Sequence, residues 1–500
     1  MKNHRRPSYL EVSETSRERA QSKIQDVQTH AKDRERQTSD LISLDAICEL
    51  LAVGKRRSAD SHSSVLVSRT TRFPNKIDPV QLFAVARRLV ATTNYWGLPA
   101  KQSWMVGVGE AAEIITQGPL RFEQATAFLR DIVGSAVVEP GNAPGPILLG
   151  GFRFKSRLQT DGPWREFHDG LLTLPRWMVV AQSDRQLWLT INVVMNGRTE
   201  FDTLLNELAA QALALFGQHD RLPEPVTASV KIEPVTDSWR QNVEHALGAI
   251  RDGNLTKVTL ARTMKLRSEL PIAPEAVLRS LTANYPECYA FAFSRRGTCF
   301  VGASPEELVG LNGQSVASTC LAGSAPRGGS KSDDMKLSEW LLRNVKERRE
   351  HEVVVDWVSE RMGRLCSELH WNEVPYVLQL DNVQHLLTRF VGTRVNGCHV
   401  LDFVKALHPT PAVGGIPLES ALEMIERLED FDRGWYTGPV GWVDRNGNGE
   451  FAIAIRCALL QDNEAFLYAG DGIVTGSDPD KEDQETTMKF KPLLTALGAL

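Results

Sequence analysis

Residues 407–489 read LHPTPAVGGIPLESALEMIERLEDFDRGWYTGPVGWVDRNGNGEFAIAIRCALLQDNEAFLYAGDGIVTGSDPDKEDQETTMK. The opening prolines and glycines cannot continue a helix or a central strand, so they predict a rigid loop. Apolar spacing then predicts an amphipathic helix over Leu418–Leu428. The DRNGNG sequence at 444–449 predicts a hairpin that joins a strand at 436–443 to a second strand at 450–460.

The second strand of this predicted hairpin carries one charged residue on a face of small ones. Because side chains alternate along a strand, Arg456 shares its face with three alanines, at 452, 454 and 458. Such a face leaves room for a ligand beside the sheet, and a guanidinium fork suits a carboxylate. The alternative is that a helix packs on the small residues and that Arg456 forms a structural ion pair.

The next strand, predicted at Ala465–Val474, contains two glycines. Gly470 and Gly472 weaken the strand unless another backbone or a ligand has to approach closely. The following Asp478 and Pro479 predict the start of a helix, as its cap and its first residue.

The helix after Pro479 carries two carboxylates one turn apart. Glu482, Glu485 and Lys489 lie on one face because they are three and four residues apart. Beside an arginine, such a pair of carboxylates suits a hard cation. A solvated helix face is the alternative.

Composition limits the possible functions. The chain has 500 residues, is 42% hydrophobic and has a formal net charge of −5, so it can bury a large core and shows no signature of nucleic-acid binding. No apolar run approaches the length of a membrane span. The seven cysteines are scattered and odd in number, which favours neither zinc nor a disulfide framework and points to the reducing cytoplasm.

Residues 1–40 are polar and mixed in charge, and we expect them to be a disordered or frayed helical extension. The ordered chain is predicted to begin near Leu41. From there to about Asp220, strands and helices follow without a regular βαβ order, and one of the strands is predicted at Leu172–Gln182.

Three charged residues of the second half lie at the ends of predicted strands or on an apolar helix face, where a charged side chain suggests a function. Lys257 begins a predicted strand, and Glu306 follows another strand in a Gly-Ala-Ser-Pro turn. The two suit a base and acid pair with tuned pKa values, and two surface charges are the alternative. Glu350 lies on the apolar face of one long helix, predicted over Asp333–Met362. A carboxylate there is expensive to bury unless it is paired or binds a metal.

The segment from Lys257 to the C-terminus resembles the chorismate-utilising enzymes, and within them the isochorismate synthases. Nine motifs occur in the family's order: KVTLAR (257–262), FVGASPEELV (300–309), LAGSAPRG (321–328), EHEVVVDWV (350–358), NVQHLLT (382–388), LHPTPAVGGIP (407–417), RGWYTGPVGW (433–442), GEFAIAIR (449–456) and AGDGIVTGSDPDKEDQETTMK (469–489). The first half matches more loosely, through WMVGVGEA (104–111) and GGFRF (150–154).

The resemblance implies an α+β fold, a single large domain of two packed, mostly antiparallel β-sheets flanked by helices, as in anthranilate synthase component I. Residues 41–225 would form its variable N-terminal half, and residues 226–500 its chorismate-binding catalytic half. The resemblance also implies a Mg²⁺-dependent isomerisation of chorismate to isochorismate. A cytoplasmic monomer is expected, with no glutamine amidotransferase subunit and with neither nucleic acid nor membrane as a partner.

Carried over residue by residue, the resemblance implies a base, an acid, a metal site and a substrate site. Lys257 would activate water to attack C2 of the ring, and Glu306 would protonate the departing C4 hydroxyl. Three glutamates would hold Mg²⁺, the last one directly or through water: Glu350, Glu485 and Glu482. Arg456 and Tyr436 would grip the pyruvyl carboxylate, and His408 would lie near the ring. The full set of residues implied in substrate binding is Ser324, His408, Tyr436, Arg456, Gly470, Gly472 and Lys489.

Two alternatives remain open within this resemblance. A salicylate synthase would form isochorismate and then eliminate pyruvate, and an inactive paralogue would bind chorismate without turnover. Two departures from the family's pattern favour weaker binding. Asp471 stands where a small residue is usual, and it adds a negative charge near the substrate carboxylates. Ala325 replaces a commonly larger residue and would alter the pocket wall.

Overall fold

A computed structural model describes residues 44–74, 76–139, 141, 143–157, 162–182, 186–217, 230–233, 238–380 and 383–499. The extension predicted at residues 1–40 lies outside these residues. The described residues divide into two compact units, one with the described residues of 1–49 and 198–220 and the other with those of 50–197 and 221–500. The larger unit contains both sheets and the site considered below. The predicted division of the chain near residue 225 stays a prediction.

Eleven α-helices form in the described part of the chain, and none of them is both long and apolar enough to cross a bilayer. A single turn of 3₁₀ helix occurs at Pro99–Lys101. The helices are α1 Leu44–Ser61, α2 Pro79–Leu89, α3 Arg121–Gly134, α4 Phe201–Phe216, α5 Trp239–Arg251, α6 Pro274–Asn284, α7 Lys331–Arg343, α8 Val345–Gly363, α9 Val400–Leu407, α10 Leu418–Leu428 and α11 Pro479–Ala496.

The described part of the chain also forms twenty-three strands. They are β1 Val65–Arg72, β2 Thr92–Leu98, β3 Ser103–Val108, β4 Ala112–Thr116, β5 Val137–Val138, β6 Ile147–Phe152, β7 Gly170–Leu174, β8 Trp177–Ala181, β9 Leu187–Met195, β10 Val230–Glu233, β11 Lys257–Ser268, β12 Tyr289–Arg295, β13 Thr298–Ser304, β14 Glu307–Asn312, β15 Ser315–Pro326, β16 Cys366–Trp371, β17 Tyr376–Gln379, β18 Val383–Arg394, β19 Gly415–Ile416, β20 Pro439–Asp444, β21 Gly449–Ile453, β22 Cys457–Gln461 and β23 Glu464–Val474.

The strands form two large sheets. The thirteen-stranded sheet has the order β10-β11-β23-β22-β13-β12-β2-β3-β8-β9-β1-β5, with β19 paired to β11. The ten-stranded sheet has the order β16-β18-β15-β14-β21-β20-β6-β7-β4, with β17 paired to β18. Among the described strands only β1 and β5 pair in parallel. Helices α5 and α11 pack on β23, and α8 packs on β15. The predicted α+β fold of two mostly antiparallel sheets flanked by helices is confirmed.

An aromatic core joins the two sheets. The side chains of Leu149 and Val440 in the ten-stranded sheet pack in one buried cluster with those of Phe291 and Phe300 in the thirteen-stranded sheet. The indole ring of Trp435 completes this cluster, with its centroid 5.6 Å from that of Phe293. Because large aromatic side chains bury much apolar area, this cluster contributes strongly to holding the sheets face to face.

The strand predicted at 450–460 is wrong, because it is two strands in different sheets. β21 pairs with β14 and β20, whereas β22 pairs with β13 and β23. The backbone turns between them at Arg456, which has a φ of 51°. β21 places Phe451 in one apolar cluster, and β22 places Leu459 in another. Phe451 and Leu459, which alternation would place on one face of a single strand, therefore lie in different cores.

Two other predicted elements are also divided. The strand predicted at Leu172–Gln182 separates into β7 and β8, in different sheets, around Pro175, which has no N–H to donate to a ladder. The helix predicted over Asp333–Met362 separates into α7 and α8 at Asn344. Its side chain accepts a hydrogen bond from the Glu347 N–H (3.1 Å) and so caps a new helix. By contrast, α10 has the predicted bounds, and Asp478 caps α11 as predicted.

A buried ion pair ties the loop before α10 to β11. The guanidinium of Arg433 lies 2.5 Å from the Glu429 carboxylate, and the two side chains are 4% and 3% exposed. Arg433 also donates to the carbonyls of Val413 and Thr259, at 2.9 and 2.8 Å. Glu429 accepts from the Ala261 N–H at 2.7 Å. The pair therefore positions the strand that carries Lys257.

We expect Arg433→Met to destabilise the protein by about 3–5 kcal/mol, because removing one partner of a buried pair leaves the other charge uncompensated. Urea unfolding followed by tryptophan fluorescence measures this loss. Lys155→Met is the control, because Lys155 and Glu426 form a surface pair with side chains 43% and 58% exposed, and such pairs contribute about 0–1 kcal/mol. An equal loss in the free energy of unfolding in both variants would show that the buried pair contributes no more to stability than the surface pair.

Candidate active site

A cavity with an empty volume of about 580 Å³ lies where β11 and β23 meet the turn after β13, the strand β15 and helix α8. This size suits a small organic ligand. Eight of the residues predicted from the sequence line it: Glu306, Ser324, Glu350, Tyr436, Arg456, Gly470, Gly472 and Lys489. The structure thus brings together side chains that are almost 200 positions apart in the chain.

Lys257, at the first position of β11, is not among the residues that line the cavity, but its side chain contacts two that are, Glu350 and Gly472. Its side chain is fully buried, and its Nζ donates a hydrogen bond to Glu350 Oε1 at 2.9 Å. Gly472, across the ladder, makes room for the pair. A Cβ at that position would overlap Glu350 Oε1 and lie 3.0 Å from Lys257 Cε. The close approach predicted for this glycine is therefore an approach of the lysine and glutamate side chains.

Glu306 follows β13 and points into the same cavity. Its backbone N–H donates to Ser304 Oγ at 3.2 Å, and its carbonyl accepts from the Ile453 N–H at 3.1 Å. Burial raises the pKa of Glu306 to about 8, and the nearby positive charges of Lys257 and Arg456 only partly oppose this shift. At neutral pH the side chain is therefore a carboxylic acid with a proton to donate.

Arg456 supplies positive charge to the cavity. Its guanidinium is buried, and no carboxylate of the described residues lies within ion-pair distance of it, so the alternative of a structural ion pair is not observed. Its Nη2 lies 3.4 Å from Nε2 of His385. Because an unpaired buried charge is costly, this arrangement suits an anionic ligand.

His385 is a site residue that the sequence analysis missed. Burial, with the charges of Arg456 and Lys489, lowers its pKa to about 3, so the ring is neutral. Its Nδ1 lies 3.0 Å from Ser324 Oγ. The motif NVQHLLT contained this histidine, but spacing in the sequence did not indicate which residues it would meet.

The phenol of Tyr436 forms another part of the wall. Its ring stacks on that of Tyr468, with centroids 5.1 Å apart. Gly470 lies close to it, because an added Cβ would be 2.9 Å from the hydroxyl oxygen of Tyr436 and 2.6 Å from the Leu260 carbonyl oxygen. The absence of a side chain at this position leaves the hydroxyl free to face the cavity.

Carboxylates gather at one end of the cavity. Asp471, Glu482 and Glu485 each offer an oxygen, and these oxygens lie within 4.8 Å of one another. Lys346 Nζ lies 2.9 Å from Glu482, and Lys489 Nζ lies 2.9 Å from Glu485. A donor set made only of carboxylate oxygens fits a hard divalent cation such as Mg²⁺. Of the three predicted metal ligands, Glu482 and Glu485 belong to this cluster, whereas Glu350 bonds to Lys257.

A fourth glutamate lies near the cluster and was also missed. Glu347, in the first turn of α8, accepts from the Ser324 N–H at 2.8 Å. Burial raises its pKa to about 7, and the charges of Glu350 and Glu485 add to this effect. Its position three residues before Glu350, on the same face of α8, is the signal that could have found it.

His408 is the predicted substrate residue that the structure does not place among those lining the cavity. Its Nε2 lies 3.0 Å from the Phe154 carbonyl oxygen, and its ring packs against Phe122 and Phe154. Burial lowers its pKa to about 3. The side chain thus belongs to the packing around the loop before α10.

The two departures from the family's pattern have different outcomes. Ala325 packs in a small apolar cluster with Leu341 and Leu386 and is not among the residues that line the cavity, so the expected change in the pocket wall is not observed. Asp471 does line the cavity, and one of its oxygens is 3.0 Å from Lys489 Nζ. Its negative charge therefore faces a lysine.

Residues 52–498 match the family model described as chorismate binding enzyme. An isochorismate synthase of Bacillus subtilis, MenF, is 33% identical over 451 residues, which are 88% of this chain and 95% of the relative. The salicylate biosynthesis isochorismate synthase of Pseudomonas aeruginosa is 33% identical over 454 residues, which are 90% of this chain and 93% of that protein.

A solved structure agrees with these relatives. That of MenF, the menaquinone-specific isochorismate synthase of Escherichia coli, superimposes with a TM-score of 0.74 at 26% identity, covering 89% of this chain and 99% of the other. The family model spans nearly all of the described residues, including both sheets and the cavity that Glu306 and Arg456 line. The chain belongs to the family of chorismate-binding enzymes.

Proposed function

We propose that this protein isomerises chorismate to isochorismate in a reaction that depends on Mg²⁺. The observation that carries the proposal is the arrangement around the cavity. A protonated Glu306 and the buried amine of Lys257 accompany an arginine, Arg456, that has no carboxylate partner among the described residues. The names of the relatives from B. subtilis and P. aeruginosa, both isochorismate synthases, support the same reaction.

The reaction exchanges one hydroxyl group for another across the ring. A bond forms between a water oxygen and C2, the bond between C4 and its hydroxyl oxygen breaks, and the double bonds between them shift. Lys257 takes a proton from the attacking water, and Glu306 gives a proton to the departing hydroxyl. Glu306, which lines the cavity, and Lys257, which lies directly behind the lining residue Glu350, supply the acid and the base that this exchange requires.

The substrate is a dianion, and the cavity offers a distinct partner for each carboxylate. Arg456 and Tyr436 would bind the pyruvyl carboxylate, because the guanidinium fork matches its geometry and the phenol donates a hydrogen bond. Glu350, Glu482 and Glu485 would hold Mg²⁺, whose charge would neutralise them and bind the ring carboxylate. Lys257 accepts a proton only as the neutral amine. Glu350, which accepts a hydrogen bond from Lys257 in the structure, would exchange that bond for Mg²⁺ when the cation and the substrate bind.

We expect the purified protein to convert chorismate with Mg²⁺ into isochorismate until the two compounds reach equilibrium. Chromatography of the products measures this, and addition of a chelator should stop the conversion until Mg²⁺ is restored. Salicylate and pyruvate formed in equal amounts would instead place the chain with the salicylate synthases. The absence of any product would favour an inactive chorismate-binding paralogue.

We expect Lys257→Ala to lower kcat by about 10²–10⁴-fold, because it removes the general base. Lys265→Ala is a matched control, because Lys265 lies on the same strand and pairs with Glu464 at the surface, 2.9 Å away. Circular dichroism should show the same fold for both variants. A rate for Lys257→Ala close to that of the unsubstituted protein would eliminate Lys257 as the base.

We expect activity to fall as pH rises through about 8, because Glu306 donates its proton only below its raised pKa. Rates of isochorismate formation from pH 6 to 10 give the profile. Glu306→Gln should lose about 10²–10⁴-fold in kcat, since an amide cannot donate this proton as an acid. Glu307→Gln, which changes a neighbouring side chain outside the lining of the cavity, should keep the alkaline fall. A profile that is flat to pH 10 would contradict the assignment.

A further inference from the structure

Asp471 lies between the two glycines of β23 that the substrate site uses. Its Oδ1 accepts hydrogen bonds from the Gly472 N–H at 2.9 Å and from Lys489 Nζ at 3.0 Å. Its Oδ2 is buried and has no hydrogen-bond partner among the described residues, and the whole residue is only 5% exposed. A buried carboxylate oxygen without a hydrogen-bond donor is energetically unfavourable. The unsatisfied Oδ2 therefore indicates a ligand that the chain itself does not supply.

The surroundings of Asp471 indicate the charge of that ligand. An oxygen of Asp471 lies within 4.8 Å of one from Glu482 and one from Glu485. Two ammonium groups, of Lys346 and Lys489, face these three carboxylates at 2.9–3.0 Å. The cluster therefore has more carboxylates than ammonium groups, since Lys346 also lies 3.4 Å from Glu347, and a cation is the ligand that compensates the excess negative charge. A neutral hydrogen-bond donor in place of the cation would leave this negative charge uncompensated, and an anion would increase it.

We propose that Asp471 is a further ligand of the divalent cation, beside the glutamates of α11. This inference rests on the proposed function, because it concerns the same cation. Asp471 gives the cation site one carboxylate more than the set of Glu350, Glu482 and Glu485. The affinity of oxygen sites for hard cations rises with the number of charged ligands. The protein therefore binds its cation more tightly than the three glutamates alone would, and it does so before the substrate arrives.

The test measures cation binding without substrate. Mn²⁺ serves as the probe in place of Mg²⁺, and its free concentration is read from its electron paramagnetic resonance signal during titration of the full chain. Asp471→Asn keeps the size and removes the charge, and we expect it to raise the Kd for Mn²⁺ by about 10-fold or more. Asp471→Ala, a small residue at this strand position, tests the same point if the asparagine variant does not fold.

Asp483→Asn is the matched control. Asp483 lies next to Glu482 on α11 but outside the carboxylate cluster, and Arg262 Nη1 lies 2.7 Å from it. The substitution removes the same charge at a short distance, so it should leave the Kd for Mn²⁺ within about twofold, since a partly exposed charge is screened. An equal loss of affinity in Asp483→Asn and Asp471→Asn would overturn the proposal by showing an effect of net charge alone.

Two further outcomes separate this inference from the proposed function. Unchanged Mn²⁺ affinity in Asp471→Asn, with the unsubstituted chain still forming isochorismate in the presence of Mg²⁺, would reduce Asp471 to a counter-ion of Lys489 and leave the proposed function intact. Weaker Mn²⁺ binding in Asp471→Asn, with no conversion of chorismate by the unsubstituted chain, would support the ligand and reject the proposed reaction.

Discussion

The two sheets share the segment from Ala454 to Arg456, where the backbone leaves one ladder and enters the other. This crossing positions two groups of the site. Just before it, the Ile453 N–H donates to the Glu306 carbonyl, and the Ile453 carbonyl accepts from the Ser304 hydroxyl at 2.6 Å. At its end, Arg456 adopts a left-handed φ of 51°, and its guanidinium lines the cavity. The acid and the arginine are therefore held by one short stretch of backbone.

Buried charges make up most of the remaining site, and nearly all of them are paired. Lys257 with Glu350 joins β11 to α8, and Lys346 with Glu482 joins α8 to α11. Such pairs contribute little net stability, because desolvation offsets much of their attraction, but loss of one partner is costly. Their value is positional, since they hold three separate elements around one cavity.

Two groups in this set of charges are only partly satisfied by the described residues, and they have opposite signs. Arg456 faces the cavity without a carboxylate, and Asp471 keeps one oxygen without a donor. A folded chain tolerates such groups when a ligand satisfies them. Each proposed ligand has the charge opposite to that of the group it meets, with a substrate carboxylate at the arginine and a divalent cation at the aspartate.

Local sequence was sufficient to predict the helix α10 and the start of α11 at Asp478, because caps and apolar periodicity are local properties. The type of fold followed from the resemblance of the ordered motifs to a known family. The resemblance also selected twelve site residues, and eight of them line the cavity. Tertiary structure alone decided the rest. It divided the strand at 450–460 between two sheets, moved His408 into packing away from the cavity and brought His385 to Arg456. These outcomes depend on contacts between residues far apart in the chain, and the period of a single segment carries no information about its distant partners.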